Sequence, residues 1–109
     1  DVRDAVRAYH MMLTMNPEVG EYYNIGGTHV CKIGDMLETL MSMSHIKNIS
    51  IEVDKDRLRP IDADLQIPDT TKFTQKTGWK PEILFEKTMS DLLEYWRKKI
   101  LIEGHTLVR

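Results

Sequence analysis

The sequence has little of what several function classes require. A single cysteine, Cys31, excludes an internal disulfide and makes a reducing, cytoplasmic setting the default. No hydrophobic run approaches the roughly 18 residues that identify a membrane-spanning helix. The formal net charge is −2, without the basic excess typical of nucleic-acid-binding domains. With 109 residues, 41% of them hydrophobic, the chain is long enough for one globular domain with a modest core.

The usual fingerprints of cofactor and metal sites are also missing. Gly26-Gly27 follows a strand-like run, but the sequence contains no G-x-G-x-x-G and no G-K-[ST] phosphate loop, so we expect no cofactor site in this chain. A calcium loop counted from Asp54 would lack both its glycine and its final acid. His29 and Cys31 have no further zinc ligands at a suitable spacing. We therefore predict no metal site.

The spacing of apolar residues predicts about four helices and two short strands. The expected helices are residues 4–15, 33–44, 70–76 and 85–100, and the expected strands are residues 21–25 and 49–53. In the first helix one apolar stripe is formed by Val2, Val6, Tyr9 and Leu13. Asp69 is expected to cap the third helix, and Gly78 to end it. The fold class predicted from this pattern is mixed α/β.

Two features of the pattern indicate a fragment of a longer protein. Two strands make a poor sheet by themselves, so further strands are expected elsewhere. The chain also begins at Asp1 without a methionine, and its first residues already have a helical pattern. A function divided between this chain and a preceding region is therefore expected.

The most unusual stretch is DRLRPIDAD, residues 56–64, which groups two arginines and three aspartates around one proline. A solvated loop with weak local ion pairs is the simpler interpretation. The alternative is a nucleotide-diphosphate site, because the guanidinium fork suits phosphate oxygens and an aspartate can accept hydrogen bonds from a ribose diol. Pro60 favours an extended backbone at Arg59, so Arg57 and Arg59 would point the same way. Arg57, Arg59 and Asp62 are the candidate binding residues.

The order of these elements resembles a known family over nearly the whole chain, from Asp1 to about Lys98. The most specific marks are YNIGG, the RP-x-[DE] element at Arg59 to Asp62, and DTTKF…TGWKP…FEKTM. Together they resemble the C-terminal part of an extended short-chain dehydrogenase/reductase of the nucleotide-sugar epimerase/dehydratase family. Within that family the sequence is most similar to the GDP-mannose 4,6-dehydratases.

The resemblance implies that residues 1–109 are the C-terminal nucleotide-sugar-binding portion of an enzyme whose N-terminal Rossmann domain is absent from this chain. That domain would bind NADP or NAD. In the dehydratases the sugar is oxidised at C4, a glutamate base helps water leave across C5 and C6, and hydride returns to C6. The catalytic Thr or Ser, Glu, Tyr and Lys lie upstream, so this chain is expected to hold no catalytic residue and not to catalyse alone. The full-length protein would be a cytoplasmic, homo-oligomeric lyase without nucleic-acid or membrane partners.

Only some of the candidate site residues in this sequence match positions of the family's substrate-binding site. Arg59 matches the arginine that contacts the substrate diphosphate, and Asp62 matches the acid that contacts the nucleotide ribose. The GDP-mannose dehydratases are expected to have glutamate at the position of Asp62, whereas related reductases and epimerases can carry aspartate. Arg57 has no firm counterpart and is a secondary candidate.

One further pair matches a catalytic spacing of the same superfamily. Tyr95 and Lys99 have the Tyr-x-x-x-Lys spacing of short-chain dehydrogenases, but they lie at the end of a lysine-rich C-terminal helix, far from where that pair belongs. We interpret the match as chance.

Three functions remain open: a nucleotide-sugar 4,6-dehydratase, a reductase or epimerase of related nucleotide sugars, and a non-enzymatic interaction module that uses the amphipathic last helix. The nucleotide base, the sugar and the choice between NAD and NADP also remain open.

Overall fold

A computed structural model of the chain describes residues 1–15, 18–58 and 65–104, with only the backbone for Arg57. Four α-helices and one three-residue 3-10 helix make up its regular structure. In chain order they are α1 (Val2–Thr14), α2 (Ile33–Ser42), the 3-10 helix (Lys55–Arg57), α3 (Thr71–Thr77) and α4 (Phe85–Glu103). Within these residues no helix is both long and apolar enough to cross a membrane.

The predicted mixed α/β class with two strands is wrong, because the described part of the chain contains helices and no β-strand. Residues 21–25 and 49–53, the two expected strands, have no regular secondary structure. A strand exists only where its N–H and C=O groups pair with a neighbouring strand, and these two segments do not pair with each other. Their β-branched and aromatic residues favour a β-sheet, but the described chain offers no neighbouring strand with which to form one. Ile51 and Val53 accordingly remain 58% and 65% exposed.

The predicted end of α3 at Gly78 is confirmed, whereas the helix begins at Thr71 with Thr70, not Asp69, as its N-cap residue. The Asp69 carboxylate accepts a hydrogen bond from the Thr71 backbone N–H at 2.9 Å. Gly78 follows the last turn with φ of 72°, a left-handed conformation that glycine adopts without a Cβ penalty. Its N–H donates to the Thr74 carbonyl at 2.8 Å and so closes the helix. Local capping chemistry therefore fixes both ends of this seven-residue helix.

A small core joins α1 to α3. Ala8, Phe73 and Trp79 are buried together, and partly buried side chains surround them: Met11, Met12, Tyr23 and Ile25. The Phe73 ring centroid lies 5.7 Å from that of Trp79 and 5.8 Å from that of Tyr23. The Trp79 indole N–H donates to the Asp4 backbone carbonyl at 3.1 Å. The chain downstream of α3 is thereby held against the first helix.

The remaining helices pack loosely. The α2 and α4 helices contact each other, and the Arg97 guanidinium donates to the Met43 carbonyl at the end of α2 at 3.0 Å. The radius of gyration is 18.0 Å, whereas a compact domain of this length has about 13 Å. Apolar side chains stay exposed along α1 and the second half of α4, including Leu13 at 86% and Leu101 at 85%. The described chain thus has more apolar surface than its own core can cover.

Candidate functional site

The predicted binding residues lie at the edge of what the structure describes. Arg59 and Asp62 lie outside the described residues, and so does the side chain of Arg57. The structure describes both flanks of this loop, which we call the RP loop (residues 56–64).

The chain enters the RP loop through a tight turn. The Asp54 carboxylate accepts a hydrogen bond from the Asp56 backbone N–H at 3.1 Å and so caps the 3-10 helix. The Leu58 N–H then donates to the Lys55 carbonyl at 3.3 Å. Leu58 itself is extended, with φ of −69° and ψ of 128°. The capped turn therefore opens into extended backbone at Leu58, immediately before Arg59.

The chain leaves the RP loop in close contact with the YNIGG segment. A Cβ atom built on Gly26 would lie 2.2 Å from Pro68 Cγ, which is far inside van der Waals contact. Glycine at position 26 therefore lets the exit of the loop lie directly on the backbone of the YNIGG segment. Gly27, by contrast, would meet nothing within 4 Å. From the sequence alone this glycine pair only follows a strand-like run, and the tertiary contact shows why the first glycine is needed.

We expect Gly26→Ala to lower the free energy of unfolding by about 1–3 kcal/mol, the usual cost of forcing a methyl group into an occupied position. The pyrrolidine ring of Pro68 is fixed to the backbone and cannot rotate away, so the RP loop exit would have to shift. Gly27→Ala is the matched control, with an expected change within about 0.5 kcal/mol. Urea unfolding of both variants measures the difference, and equal values for the two would contradict the proposed close approach.

A charged and aromatic cluster ties α3 to the same segment. The Lys72 ammonium pairs with the Glu21 carboxylate and lies 4.8 Å from the Tyr22 ring centroid and 5.1 Å from that of Tyr23. The hydrogen bond between them lowers the pKa of Glu21 and raises the pKa of Lys72. Because both charges are favoured, the cluster holds the start of α3, four residues beyond Pro68, beside the YNIGG segment.

A cavity of about 670 Å³ lies elsewhere, between the start of α1, residues 27–29 and the beginning of α4. The described side chains that line it include Asp1, Asp4, Glu82 and Glu86, with no lysine or arginine among them. Three of these carboxylates are already paired with Arg3 or Arg7, and no positively charged side chain among the described lining residues is available to hold a diphosphate, so we do not assign the nucleotide to this cavity. The His29 imidazole stacks on the Phe85 ring at its rim, with ring centroids 4.3 Å apart.

Asp4, in the wall of that cavity, is a structural anchor. Its carboxylate is buried and accepts hydrogen bonds from the backbone N–H of Glu82 at 3.2 Å, from that of Ile83 at 3.0 Å and from the Arg7 guanidinium at 3.0 Å. Burial would raise the pKa of this carboxyl, but these hydrogen bonds and the Arg7 charge outweigh it and hold the pKa below its ordinary value. Asp4 therefore fastens α1 to the segment that leads into α4.

The remaining sequence matches have structural explanations. Lys99 lies with its ammonium 5.7 Å from the Tyr95 ring centroid and 5.2 Å from that of Trp96, and 3.9 Å from the Glu103 carboxylate. These contacts hold the Lys99 side chain against its own helix, and the interpretation of the Tyr95 and Lys99 spacing as chance stays a prediction. Cys31 is exposed. In the part of the chain that the structure describes, no group of three or more His, Cys, Asp or Glu residues could hold a metal ion.

Comparisons with known proteins match most of the chain. Residues 1–92 match the family model described as GDP-mannose 4,6 dehydratase. Among curated proteins, the chain is similar to the GDP-6-deoxy-D-mannose reductase of Pseudomonas aeruginosa, with 27% identity over 100 residues. That match covers 92% of this chain and 32% of the reductase, so the chain spans about a third of the length of this relative. The match to the family model includes the whole RP loop.

Proposed function

Because the chain belongs to the GDP-mannose 4,6-dehydratase family and corresponds to its C-terminal part, we propose that it is the nucleotide-sugar-binding portion of a GDP-sugar enzyme. The leading reaction is the conversion of GDP-mannose to GDP-4-keto-6-deoxymannose, a lyase reaction. The observation that carries the proposal is the family match over residues 1–92, which contains the RP loop in full. The same match favours an enzyme over a non-enzymatic interaction module.

In this proposal the chain binds and orients the substrate. Arg59 would contact the diphosphate, because its planar fork gives charge-assisted hydrogen bonds to phosphate oxygens. Asp62 would accept hydrogen bonds from the ribose hydroxyls, and Arg57 would add a second positive charge. The capped turn at Asp54 and the Gly26–Pro68 contact support this role, because they give the segments on either side of the RP loop defined positions.

The rest of the catalytic machinery is assigned to a preceding Rossmann domain. That domain would hold NADP or NAD, which supplies the hydride chemistry, together with the catalytic Thr or Ser, Glu, Tyr and Lys. We further propose a cytoplasmic homo-oligomer assembled through the Rossmann domains.

A second candidate function is reduction of a 4-keto-6-deoxy sugar nucleotide. Two observations favour it: the curated relative is named a GDP-6-deoxy-D-mannose reductase, and Asp62 is shorter than the glutamate expected of the dehydratases. Incubation of the complete protein with GDP-mannose, and separately with GDP-4-keto-6-deoxymannose and reduced cofactor, distinguishes the two. An epimerase would instead interconvert sugar nucleotides without net dehydration or reduction.

The diphosphate role of Arg59 is tested by calorimetric titration of GDP, UDP, CDP and dTDP into the complete protein and its Arg59→Ala variant. We expect the loss of a charge-assisted contact to cost about 1.5–3 kcal/mol, or about 10- to 150-fold in affinity, for the preferred nucleotide. Arg59→Lys should recover only part of the loss, because an ammonium cannot give the bidentate contact. The nucleotide with the largest loss identifies the base.

The matched control is Lys47→Ala, which removes one positive charge outside the RP loop. If Arg59→Ala and Lys47→Ala weaken binding equally, the loss reflects the overall charge of the protein and not a direct contact, and the assignment of Arg59 is wrong. Unchanged affinity in Arg59→Ala would mean that the RP loop arginines are surface charges, and the nucleotide-binding role would then have no residue to support it.

A further inference from the structure

Helix α1 has two apolar sides, and only one of them is covered. Its inner side, around Ala8, packs on Phe73 and Trp79. On the other side lies a stripe that we call the outer face, in which every side chain is mostly exposed: Val2 at 73%, Val6 at 61%, Tyr9 at 65% and Leu13 at 86%. A helix with one core face and one solvent face would carry polar residues here. Apolar residues on both sides are typical of a helix that is buried between two layers.

No charged side chain of α1 shields the outer face. The two arginines that flank it turn toward other parts of the chain. Arg3 bonds the Asp1 carboxylate at 2.8 Å and pairs with Asp91 at 2.7 Å, while Arg7 pairs with Asp4 at 3.0 Å and with Glu82 at 3.1 Å. The four side chains of the stripe remain 61–86% exposed, so the aliphatic stems of these arginines leave most of it open to solvent.

We propose that the outer face of α1 is the surface on which the preceding N-terminal part of the complete polypeptide packs, an inference that rests on the proposed function for the existence of that part. The chain corresponds to the C-terminal part of its family and spans only 32% of the curated relative.

The size of the outer face favours this occupant over a second copy of the chain. A stable dimer buries about 800 Å² per partner through about 20–30 residues, whereas the outer face consists of four side chains. A domain joined through the backbone has an effective concentration in the millimolar range. A patch too small to hold a free partner is therefore large enough to dock a tethered one.

The test measures the thiol reactivity of single cysteine variants of the complete protein, read for each residue by mass spectrometry of the peptide that carries it. Leu13→Cys and Val6→Cys place the thiol on the outer face. Thr14→Cys is the matched control, since it is exposed on the same helix about 110° around the axis from the stripe. We expect both outer-face thiols to react with maleimide at least about tenfold more slowly than the control in the folded protein, and at equal rates in urea.

Two results would overturn the proposal. Equal reactivity of the three thiols in the folded protein would show that the outer face is open to solvent. Protection that disappears on dilution to nanomolar protein would show that a second copy covers it instead. Neither result depends on nucleotide binding, so failure of the outer face as a domain contact is distinguishable from failure of Arg59 as the diphosphate ligand.

Discussion

Replacing Asp4 by alanine is expected to lower the free energy of unfolding by about 3 kcal/mol, the lower end of the cost of removing one partner from a buried ion pair, because only the Asp4 side of its pair with Arg7 is buried. The change leaves the N–H groups of Glu82 and Ile83 without the acceptor that they share, and it leaves Arg7 without its nearest counter-charge. The lower end applies because Arg7 keeps a second partner in Glu82 at 3.1 Å. Urea unfolding followed by the helical circular dichroism signal measures the loss.

The dependence of the free energy of unfolding on acid pH distinguishes the contribution of the Asp4 charge from that of the shape of its side chain. The folded pKa of this carboxyl is lowered from 3.8, so the unfolded state binds its proton first as the pH falls. Its contribution is therefore fully present above about pH 4 and is lost as the pH falls through the folded pKa. Asp4→Asn keeps the size of the side chain but cannot titrate, so its stability should fall less steeply below pH 4 than that of the wild type. Parallel curves for the two proteins would contradict this role.

The helices could be predicted from the sequence because their signals are local. The apolar spacing and the capping residues lie within a few residues of each helix, as Asp69 and Gly78 show at the two ends of α3. The strands failed for the complementary reason, since a strand depends on a neighbour that local sequence cannot supply. Residues 21–25 and 49–53 have suitable side chains, but within the described chain they find no partner.

The candidate site likewise has one part that could be predicted from the local sequence and another part that could not. The residue types and spacing in the RP loop were enough to propose a diphosphate role for Arg59, because that argument needs only the chemistry of the side chains. The supports of the loop could not be foreseen. Gly26 lies 42 positions from Pro68 in sequence, and nothing local to YNIGG indicates that a proline ring occupies the space of its missing side chain. Such tertiary contacts become visible only when both segments are placed.

The same distinction explains the outer face of α1. The stripe from Val2 to Leu13 is a correct reading of helical periodicity, and periodicity identifies an apolar side without saying what covers it. In the structure the core uses the other side of the helix, through Ala8. An apolar stripe that remains 61–86% exposed thus indicates a surface that a partner covers, and we propose that this partner is the N-terminal part of the same polypeptide.

Phe73→Ala is expected to cost about 3–5 kcal/mol, the usual range for removing a fully buried aromatic ring. Phe73 is 0% exposed and contacts both Tyr23 and Trp79, so the vacated volume lies at the centre of the small core. Helix α3 has only seven residues and would not persist by itself in water, so it depends on this ring for its position. Urea unfolding followed by Trp79 fluorescence measures the loss, which would be a large share of a domain stability of about 5–15 kcal/mol.

Two controls decide whether that loss reflects the core. Phe73→Leu keeps most of the apolar volume and should cost less than about 1.5 kcal/mol. Leu101→Ala makes a similar large-to-small change at a side chain that is 85% exposed, and should change stability by less than about 0.5 kcal/mol. If Phe73→Ala proves as mild as Leu101→Ala, the core between α1 and α3 does not hold the chain together. The exit of the RP loop, which enters α3 through Asp69, would then have to be fixed by the Gly26–Pro68 contact and the Lys72 cluster alone.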